Sequence, residues 1–350
     1  MKIFRQILFP ALCPFIFLNV LVLPSIAQMP EVQILTSGTN TSLRGLSVVN
    51  DNVVWVSGSN GTVGKSLNGG KNWTWLTVKG FEDKQFRDIE AFDANTAIIM
   101  AVDSPAYILK TVNGGDSWKV VYENKTKGMF LDAMDFADFN RGMVVGDPIN
   151  GKIFLATTNN NGDTWKEVGG GNEMLNAFPG EAFFAASGTN LRYYRDSSFV
   201  LVSGGQKSRL FNGTDTITLP LLQGRESAGA NSIDVFDEGN FMRPGNRMVI
   251  VGGDFSARDS INANCVYTSN GGKTWKTPKE PPHGYRSSVE FLSKQDIIAC
   301  GLNGIDYSRN GGKNWTWVSK EGFHVVKIAR FGTAVYLAGE KGKVGRIYWK

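Results

Sequence analysis

An eight-residue motif recurs five times in this chain, and no other feature of the sequence constrains the fold so strongly. Its pattern is Ser/Thr-x-Asn-x-Gly-x-x-Trp, and its copies span residues 66–73, 111–118, 158–165, 268–275 and 308–315. A motif that returns at intervals of roughly 40–50 residues is typical of proteins built from repeated supersecondary units. The chain is therefore predicted to fold as a set of similar units.

Each residue type of the motif suits a tight turn between two β-strands. The Asn side chain can accept hydrogen bonds from backbone amides two residues further on, and Gly permits the positive φ that such a turn needs. The Trp side chain can bury a large apolar surface against the neighbouring layer. We therefore predict a structural role for the following residues: Asn68, Gly70, Trp73, Asn113, Gly115, Trp118, Asn160, Gly162, Trp165, Asn270, Gly272, Trp275, Asn310, Gly312 and Trp315.

The motif resembles the Asp-box, or BNR repeat, of sialidases and related β-propellers. All five copies carry Asn where that family usually has Asp. Asn keeps the hydrogen-bonding role, but it lacks the carboxylate that a calcium site would use. The only two histidines, His283 and His324, do not have the spacing of metal ligands. No metal is expected.

Apolar segments that end near Gly allow the repeated units to be counted. Seven such segments are present: Val53–Gly58, Ala97–Val102, Gly142–Gly146, Phe199–Gly204, Met248–Gly252, Asp296–Gly301 and Ala334–Gly339. The fourth unit keeps only a remnant turn at residues 211–214, and the seventh reaches Lys350 before a motif could form. About 46 residues per unit suits four short strands. The predicted fold is all-β, a seven-bladed β-propeller of four-stranded antiparallel blades.

The two ends of the chain are predicted to meet in one blade. The seventh unit lacks an outer strand, and residues 31–36 look like the segment that follows the motif elsewhere. An N-terminal strand that completes the last blade would close the ring and protect exposed sheet edges. Residues 28–350 are accordingly predicted to form a single domain.

The first 27 residues have the pattern of a signal peptide. Lys2 and Arg5 precede an apolar run over residues 7–23, and Ser25-Ile26-Ala27 offers small residues for cleavage after Ala27. A membrane anchor is the alternative, but prolines interrupt the run at positions 10, 14 and 24. We expect an exported protein, periplasmic or extracellular, with no membrane span after removal of the signal.

Composition excludes several classes of function. A formal net charge of +5, which falls further when Lys2 and Arg5 are removed, is too small to indicate nucleic-acid binding. Only Cys265 and Cys300 remain beyond the signal, so a disulfide framework is not expected and buried free thiols are favoured. No Gly-x-Gly-x-x-Gly follows a strand and no cofactor-type cysteine pair is present. The expectation is a monomer without cofactors.

Candidate binding residues concentrate on one face of the predicted ring. Loops that enter the innermost strands, and loops between strands two and three, open on what we call the channel-mouth face, whereas the motifs lie on the opposite box face. Loop residues Asp103, Asp147, Glu181, Asp254 and Glu340 fall on the channel-mouth face. A polar ligand is expected there, held by residues drawn from this set: Arg44, Arg87, Arg225, Glu226, His283, Tyr285, Arg286 and His324.

Three stretches outside the repeat pattern carry a second resemblance. Residues 179–190, 224–229 and 282–287 make the chain similar to bacterial exported propellers related to photosystem II stability/assembly factors. That resemblance extends over essentially all of residues 28–350. It implies a scaffold that holds another protein, and hence a non-enzymatic binding or assembly module that docks a protein segment or a glycan.

Sialidase-type glycoside hydrolases provide the alternative function. Their arginine triad binds a substrate carboxylate, and the resemblance would assign catalysis here to Arg44, Arg87, Arg286, Tyr285, Glu226 and Asp103 or Asp132. Against it, the Arg-Ile-Pro signature is absent at Arg44 and Arg87, and seven units exceed the six blades of that family. The two functions differ in that a hydrolase needs two carboxyl groups about 5–10 Å apart beside a pocket.

Overall fold

A computed structural model of the protein describes residues 28–169, 175–237, 239, 242 and 244–350. The described chain forms seven antiparallel sheets, the blades of a β-propeller, and the predicted fold class is confirmed. The signal-peptide prediction for residues 1–27 lies outside the described residues. Within the described ranges, no helix combines the length and apolarity needed to cross a membrane.

The chain begins with β1 (Pro30–Thr36), which belongs to the last blade, and then forms three regular blades. Blade one contains β2 (Leu43–Val48), β3 (Val54–Gly58), β4 (Thr62–Ser66) and β5 (Thr74–Thr77). Blade two contains β6 (Phe86–Ala91), β7 (Ala97–Ala101), β8 (Ala106–Thr111) and β9 (Lys119–Asn124). Blade three contains β10 (Leu131–Phe136), β11 (Gly142–Ile149), β12 (Lys152–Thr158) and β13 (Lys166–Glu167).

Blades four and five depart from this plan. The chain forms β14 (Glu181–Ala182), then blade four from β15 (Leu191–Tyr193), β16 (Phe199–Val202), β18 (Arg209–Asn212) and β19 (Asp215–Thr218), with β17 (Gly204–Gly205) branching off. Blade five contains β20 (Ala228–Phe236), β21 (Arg247–Asp254) and β22 (Cys265–Thr268). Strands β14 and β17 extend its inner side, and the fourth strand is reduced to a bridge between Tyr267 and Lys276. The prediction of four strands in every blade is therefore corrected for blade five.

Blades six and seven complete the ring. Blade six contains β23 (Ser288–Phe291), β24 (Ile297–Gly301), β25 (Gly304–Ser308) and β26 (Thr316–Ser319). Blade seven contains β27 (Val325–Ile328), β28 (Val335–Ala338) and β29 (Val344–Trp349), and β1 pairs antiparallel with β29 as its outermost strand. The predicted closure by the N-terminal strand is confirmed.

The repeated motif forms the turn between the third and fourth strands, as predicted, with a slightly different hydrogen-bond pattern. In blade one the Ser66 hydroxyl accepts the Gly70 N–H at 2.8 Å, and Asn68 Oδ1 accepts the Asn72 N–H at 2.9 Å. The Asn therefore accepts from the amide four residues on, not two. Gly70 has φ +85°, in the left-handed region that favours glycine.

The hydrophobic core is divided among the contacts between blades. Seven clusters of buried apolar residues are found in the described chain, and each combines residues of two neighbouring blades. Motif tryptophans belong to these clusters, for example Trp73 between blades one and seven. Each blade therefore depends on its neighbours for burial, as expected for a closed repeat. Cys265 and Cys300 are buried in this core and free, as the cysteine count indicated.

Residues 183–190, which we call the channel plug, fill the middle of the central channel. They lead from blade three to β15, and they lie within the stretch that departs from the repeat pattern. The Ala186 carbonyl accepts a hydrogen bond from Arg44 Nη1 of blade one at 3.3 Å. The Ser187 hydroxyl donates to the Ser287 carbonyl, next to blade six, at 2.7 Å.

The second half of the plug contacts two further blades. The Thr189 carbonyl accepts the Ile233 N–H of blade five at 2.9 Å. Gly188 lies against Asp88 of blade two so closely that a Cβ there would be 2.3 Å from Asp88 Cγ. The plug therefore bridges four of the seven blades across the channel.

Candidate functional site: the channel-mouth cavity

A cavity of about 350 Å³ opens on the channel-mouth face, with the plug as its floor. Four of the residues predicted from the sequence line it: Arg44, Arg87, Tyr285 and His324. The others are apolar or neutral, and they are Phe130, Phe183, Phe184, Ala185, Ala186, Asn231, Phe255, Ser287 and Leu302. We call this the channel-mouth cavity. Its volume lies in the range of small-ligand sites.

Two arginines on neighbouring inner strands give the cavity its charge. Arg44 in β2 and Arg87 in β6 are both partly buried, and Arg87 Nη2 donates to Gln85 Oε1 at 2.8 Å. The Arg87 guanidinium also lies 5.6 Å from the centre of the Phe130 ring. Burial lowers the pKa of both guanidinium groups, and Arg87 lowers that of Arg44 further. Two adjacent cations in a partly desolvated site favour an anionic ligand group.

His324 contributes a neutral polar group to the same cavity. Its side chain is buried, and Nε2 lies 3.1 Å from Ser42 Oγ. Burial lowers the pKa of His324 to about 3, and Arg44, Arg87 and Lys343 lower it as well. The imidazole is therefore uncharged at neutral pH, and the positive charge of the cavity comes from the two arginines.

Aromatic rings form the other side of the cavity. Phe255, whose exposed fraction is 43%, meets Phe184 at 6.0 Å and Tyr285 at 6.3 Å between ring centroids, both edge to face. The Tyr285 hydroxyl donates to Asn231 Oδ1 at 2.7 Å, and burial raises the pKa of this tyrosine. The apolar surface of the rings can hold a hydrophobic group beside the arginines.

No carboxylate lines the channel-mouth cavity among the residues that the structure describes. Asp132 lies buried near Arg87, where burial and the neighbouring Asp147 raise the pKa of its carboxyl well above the usual range. A higher pKa reduces the negative charge that Asp132 can place beside Arg87. The arrangement can therefore bind an anionic group next to an apolar one.

Arg286 lies outside the cavity, although it was predicted to join Arg44 and Arg87 on the rim. Its side chain is fully buried, and Nε donates to Asp306 Oδ2 at 2.6 Å. Nη1 donates to Asn303 Oδ1 at 2.6 Å. These partners occupy the guanidinium, so the arginine triad that the sialidase resemblance would require is not assembled.

The remaining predicted residues are spread along the rim. Arg225 and Glu226 are exposed, and Arg225 Nη1 lies 3.2 Å from Asp254 Oδ2. Exposed His283 stacks on Trp317 with ring centroids 5.3 Å apart, and its Nδ1 lies 2.7 Å from the carboxylate of Asp306. None of these residues lines the channel-mouth cavity.

The other loop carboxylates have separate roles. Asp103 and Glu340 are exposed, and Asp147 Oδ1 accepts the Phe183 N–H at 2.9 Å. Buried Glu181 forms an ion pair with Arg209. No carboxylate lines the cavity in the described chain, although the charges of Asp103 and Asp132 act on Arg87 and that of Glu340 acts on Arg44.

Several lining residues were not predicted from the sequence. Phe183 and Phe184 belong to the stretch over residues 179–190, whose departure from the repeat pattern was the available signal. Phe130 and Phe255 stand one residue outside β10 and β21, and only the ring geometry brings them to the mouth.

Fold and cavity together define a seven-bladed β-propeller with an arginine-bearing pocket at the mouth of its channel. Structures of the same fold include YCF48 bound to a D1 peptide, which is 18% identical with a TM-score of 0.59, over 91% of this chain and 96% of that chain. YCF48 from Cyanidioschyzon merolae is 15% identical with a TM-score of 0.61, over 91% and 98% of the two chains.

A WD40 domain shares the fold as well. The Pan2 WD40 domain of Neurospora crassa is 14% identical with a TM-score of 0.57, over 89% of each chain. No protein-family model and no curated protein matches the sequence. The predicted resemblance to assembly-factor propellers is confirmed at the level of the fold.

Proposed function

We propose that the protein is a binding module that holds an acidic peptide segment of another protein in the channel-mouth cavity. The observation that carries this proposal is the pair of arginines, Arg44 and Arg87, placed beside aromatic rings in a cavity whose described lining has no carboxylate. Arginine binds carboxylates through charge-assisted hydrogen bonds. The rings suit an apolar side chain next to the acid.

The likeness to YCF48 supports a peptide as the ligand, because that propeller has been solved with a D1 peptide bound. A neutral glycan, the other predicted partner, would find no carboxylate in the described lining to accept its hydroxyl protons. A peptide that carries a carboxylate and a hydrophobic side chain can place the carboxylate beside the arginines and the side chain against the aromatic rings.

Peptide binding to the purified protein tests the proposal. Labelled peptides that end in Phe-Asp or Leu-Glu are titrated with the protein, and binding is followed by fluorescence anisotropy. The same peptides with terminal Asn or Gln and an amidated end serve as controls. We expect only the acidic peptides to bind. Their affinity is expected to fall with added salt, because screening weakens partly exposed charge pairs.

Matched variants locate the site. Arg44→Gln and Arg87→Gln are each expected to lower the affinity about tenfold or more, as expected for loss of a charged hydrogen bond. Arg309→Gln, an exposed arginine in the blade-six motif turn on the box face, is the control. Equal binding of acidic and amidated peptides, or equal affinity in all three variants, would rule the proposal out.

The glycoside hydrolase alternative is tested with the same variants. No observation at the cavity favours it, since Arg286 is buried and Glu226 lies outside the lining. Turnover of fluorogenic glycosides, sialosides included, that disappears in the Arg44→Gln variant would replace the binding module with an enzyme.

We also propose that the protein acts outside the cytoplasm, in the periplasm or beyond the cell. The proposal rests on the N-terminal pattern of Lys2, Arg5, the apolar run and Ala27. N-terminal sequencing of the exported protein should begin at Gln28. A mature protein that begins at Met1 would contradict it.

A further inference from the structure

A second cavity opens at the other end of the channel, on the box face, and none of the binding residues predicted from the sequence lines it. Its volume is about 320 Å³. It shares no lining residue with the channel-mouth cavity. We call it the box-face cavity.

A ring of one residue from each inner strand surrounds the channel at this level. Six of these residues are the penultimate residues of their inner strands. The seventh, Asp234, lies at the same level, because its Oδ2 accepts the N–H of the last residue of the next inner strand, Phe291, at 2.6 Å. Four members carry carboxylates and two are cationic, in the order Ser47, Glu90, Asp135, Arg192, Asp234, Glu290 and Lys327. All except Asp234 line the cavity.

Part of this ring has a structural role. Asp135 Oδ2 accepts the Tyr193 N–H at 2.6 Å, so one carboxylate oxygen ties blade three to blade four. Glu290 Oε1 accepts the Ile328 N–H at 3.4 Å between blades six and seven. These bonds use one oxygen of each carboxylate and leave the other for a donor in the cavity.

One buried polar group at this cavity has no hydrogen-bond partner within the described chain. The Lys327 ammonium is only partly buried, and its charge acts on Glu90 and Glu290. Tyr194 lines the cavity with an exposed fraction of 3%, and its buried hydroxyl is unpaired. Asp237 is among the charges that act on this hydroxyl. An unsatisfied buried polar group is costly, so the Tyr194 hydroxyl indicates a missing partner.

Two aromatic rings stand at the entrance of the box-face cavity. Phe139 and Phe331 line it with exposed fractions of 48% and 60%, and their ring centroids are 6.5 Å apart at an interplanar angle of 22°. Exposed aromatic faces beside polar groups offer an apolar platform for a ligand.

We propose that the box-face cavity binds a neutral saccharide. The described lining mixes the carboxylates of Glu90, Asp135, Asp138, Asp237 and Glu290 with the cations Arg192, Arg195, Lys327 and Arg330, and Arg330 is paired with Glu90. Charges of both signs therefore favour neither a simple anion nor a simple cation. Sugar hydroxyls both donate and accept, so one neutral ring can donate to the carboxylates and accept from the ammonium. Its C–H face packs on the entrance phenylalanines. The described residues contain no cluster of ligands suited to a metal ion.

Saturation-transfer NMR and calorimetry with the purified protein test this inference. The probes are glucose, galactose, mannose, N-acetylglucosamine and their disaccharides at millimolar concentration, with glycine, lysine, putrescine and phosphate as competitors of other charge classes. We expect at least one saccharide to bind and none of the charged probes to displace it.

Two substitutions report on the site without removing a structural hydrogen bond. Phe331→Ala is expected to weaken saccharide binding about tenfold, and Lys327→Met by a similar factor. Phe255→Ala, the same change at an exposed phenylalanine of the opposite mouth, is the matched control and should leave the affinity unchanged.

Three results would overturn the inference. They are the absence of binding by every saccharide, displacement of the bound saccharide by an amino acid or a diamine, and loss of saccharide binding in Phe255→Ala with retention in Phe331→Ala. Peptide binding at the channel-mouth cavity is measured separately, so either proposal can fail without the other.

Discussion

Gly188 of the channel plug lies directly against the carboxylate of Asp88. A Cβ on Gly188 would come within 2.3 Å of both Cγ and Oδ2 of that side chain. The Asp88 side chain is not free to move away, because its Oδ2 accepts the Met134 N–H at 2.7 Å and the side chain is buried. The plug and Asp88 are therefore packed without room for a side chain at position 188.

Gly188→Ala should therefore destabilise the protein by about 2–4 kcal/mol, through overpacking and through strain at φ +67°. Urea unfolding measures the change. Gly80→Ala is the control, because Gly80 has φ +83° but no atom within 4 Å of the position that a Cβ would take, so only the strain of about 1 kcal/mol remains. Equal losses in the two variants would show that the plug does not press on Asp88.

His324 should make the protein sensitive to acid. Its folded-state pKa is lowered to about 3, whereas an unfolded histidine titrates near 6.5. The stability that comes from keeping it neutral is present above pH 6.5 and is lost as the pH falls toward 3.

Between pH 7.5 and pH 4.5, the free energy of unfolding should fall by about 2–3 kcal/mol more in the unmodified protein than in His324→Gln. Urea titrations at the two pH values give both differences, so the cost of the substitution itself cancels. An identical pH dependence in the two proteins would mean that the imidazole is not held neutral.

The first hydroxyl of the blade-two motif should contribute to the stability of the fold. Thr111 Oγ1 accepts the buried Gly115 N–H at 3.0 Å and donates to Asn113 Oδ1 at 2.9 Å. Thr111→Val keeps the shape but leaves that N–H unpaired, so a loss of about 1–3 kcal/mol is expected in thermal or urea unfolding. Thr216→Val, on the exposed outer strand of blade four, should change stability by less than about 0.5 kcal/mol.

Because β1 closes the ring, we predict that it is required for the stability of the protein, although it lies at the very start of the described chain. A protein that begins at residue 38 leaves β29 as an open edge, and we expect a lower unfolding midpoint and self-association by light scattering. A protein that begins at residue 28 is the control. Addition of a peptide of residues 28–37 should restore the midpoint, and a midpoint unaffected by the truncation would contradict the role of β1.

Much of the fold was predictable from the sequence because the motif encodes its own turn. Asn68, Gly70 and Trp73 act within eight residues, and the seven apolar strands that precede the turns indicated the number of blades. The inner strand of blade four, Leu191–Tyr193, was not located because it is short and follows the irregular plug. The added strands β14 and β17 were missed for the same reason.

The candidate site was only partly predictable. Arg44 and Arg87 occupy the same position in successive repeats, so their approach at the channel mouth follows from the period. Arg286 looked equivalent, but a carboxylate 20 residues further on, Asp306, binds it inside the protein.

The sequence by itself determined the repeats, the turn chemistry and the number of blades, because these depend on contacts within a few residues of each other. The tertiary structure alone decided which charged side chains are buried in ion pairs, which blades the plug contacts, and that residues as distant as Glu90 and Lys327 share a cavity. Those outcomes depend on contacts between blades, and a linear pattern does not specify which side chains meet when the ring closes.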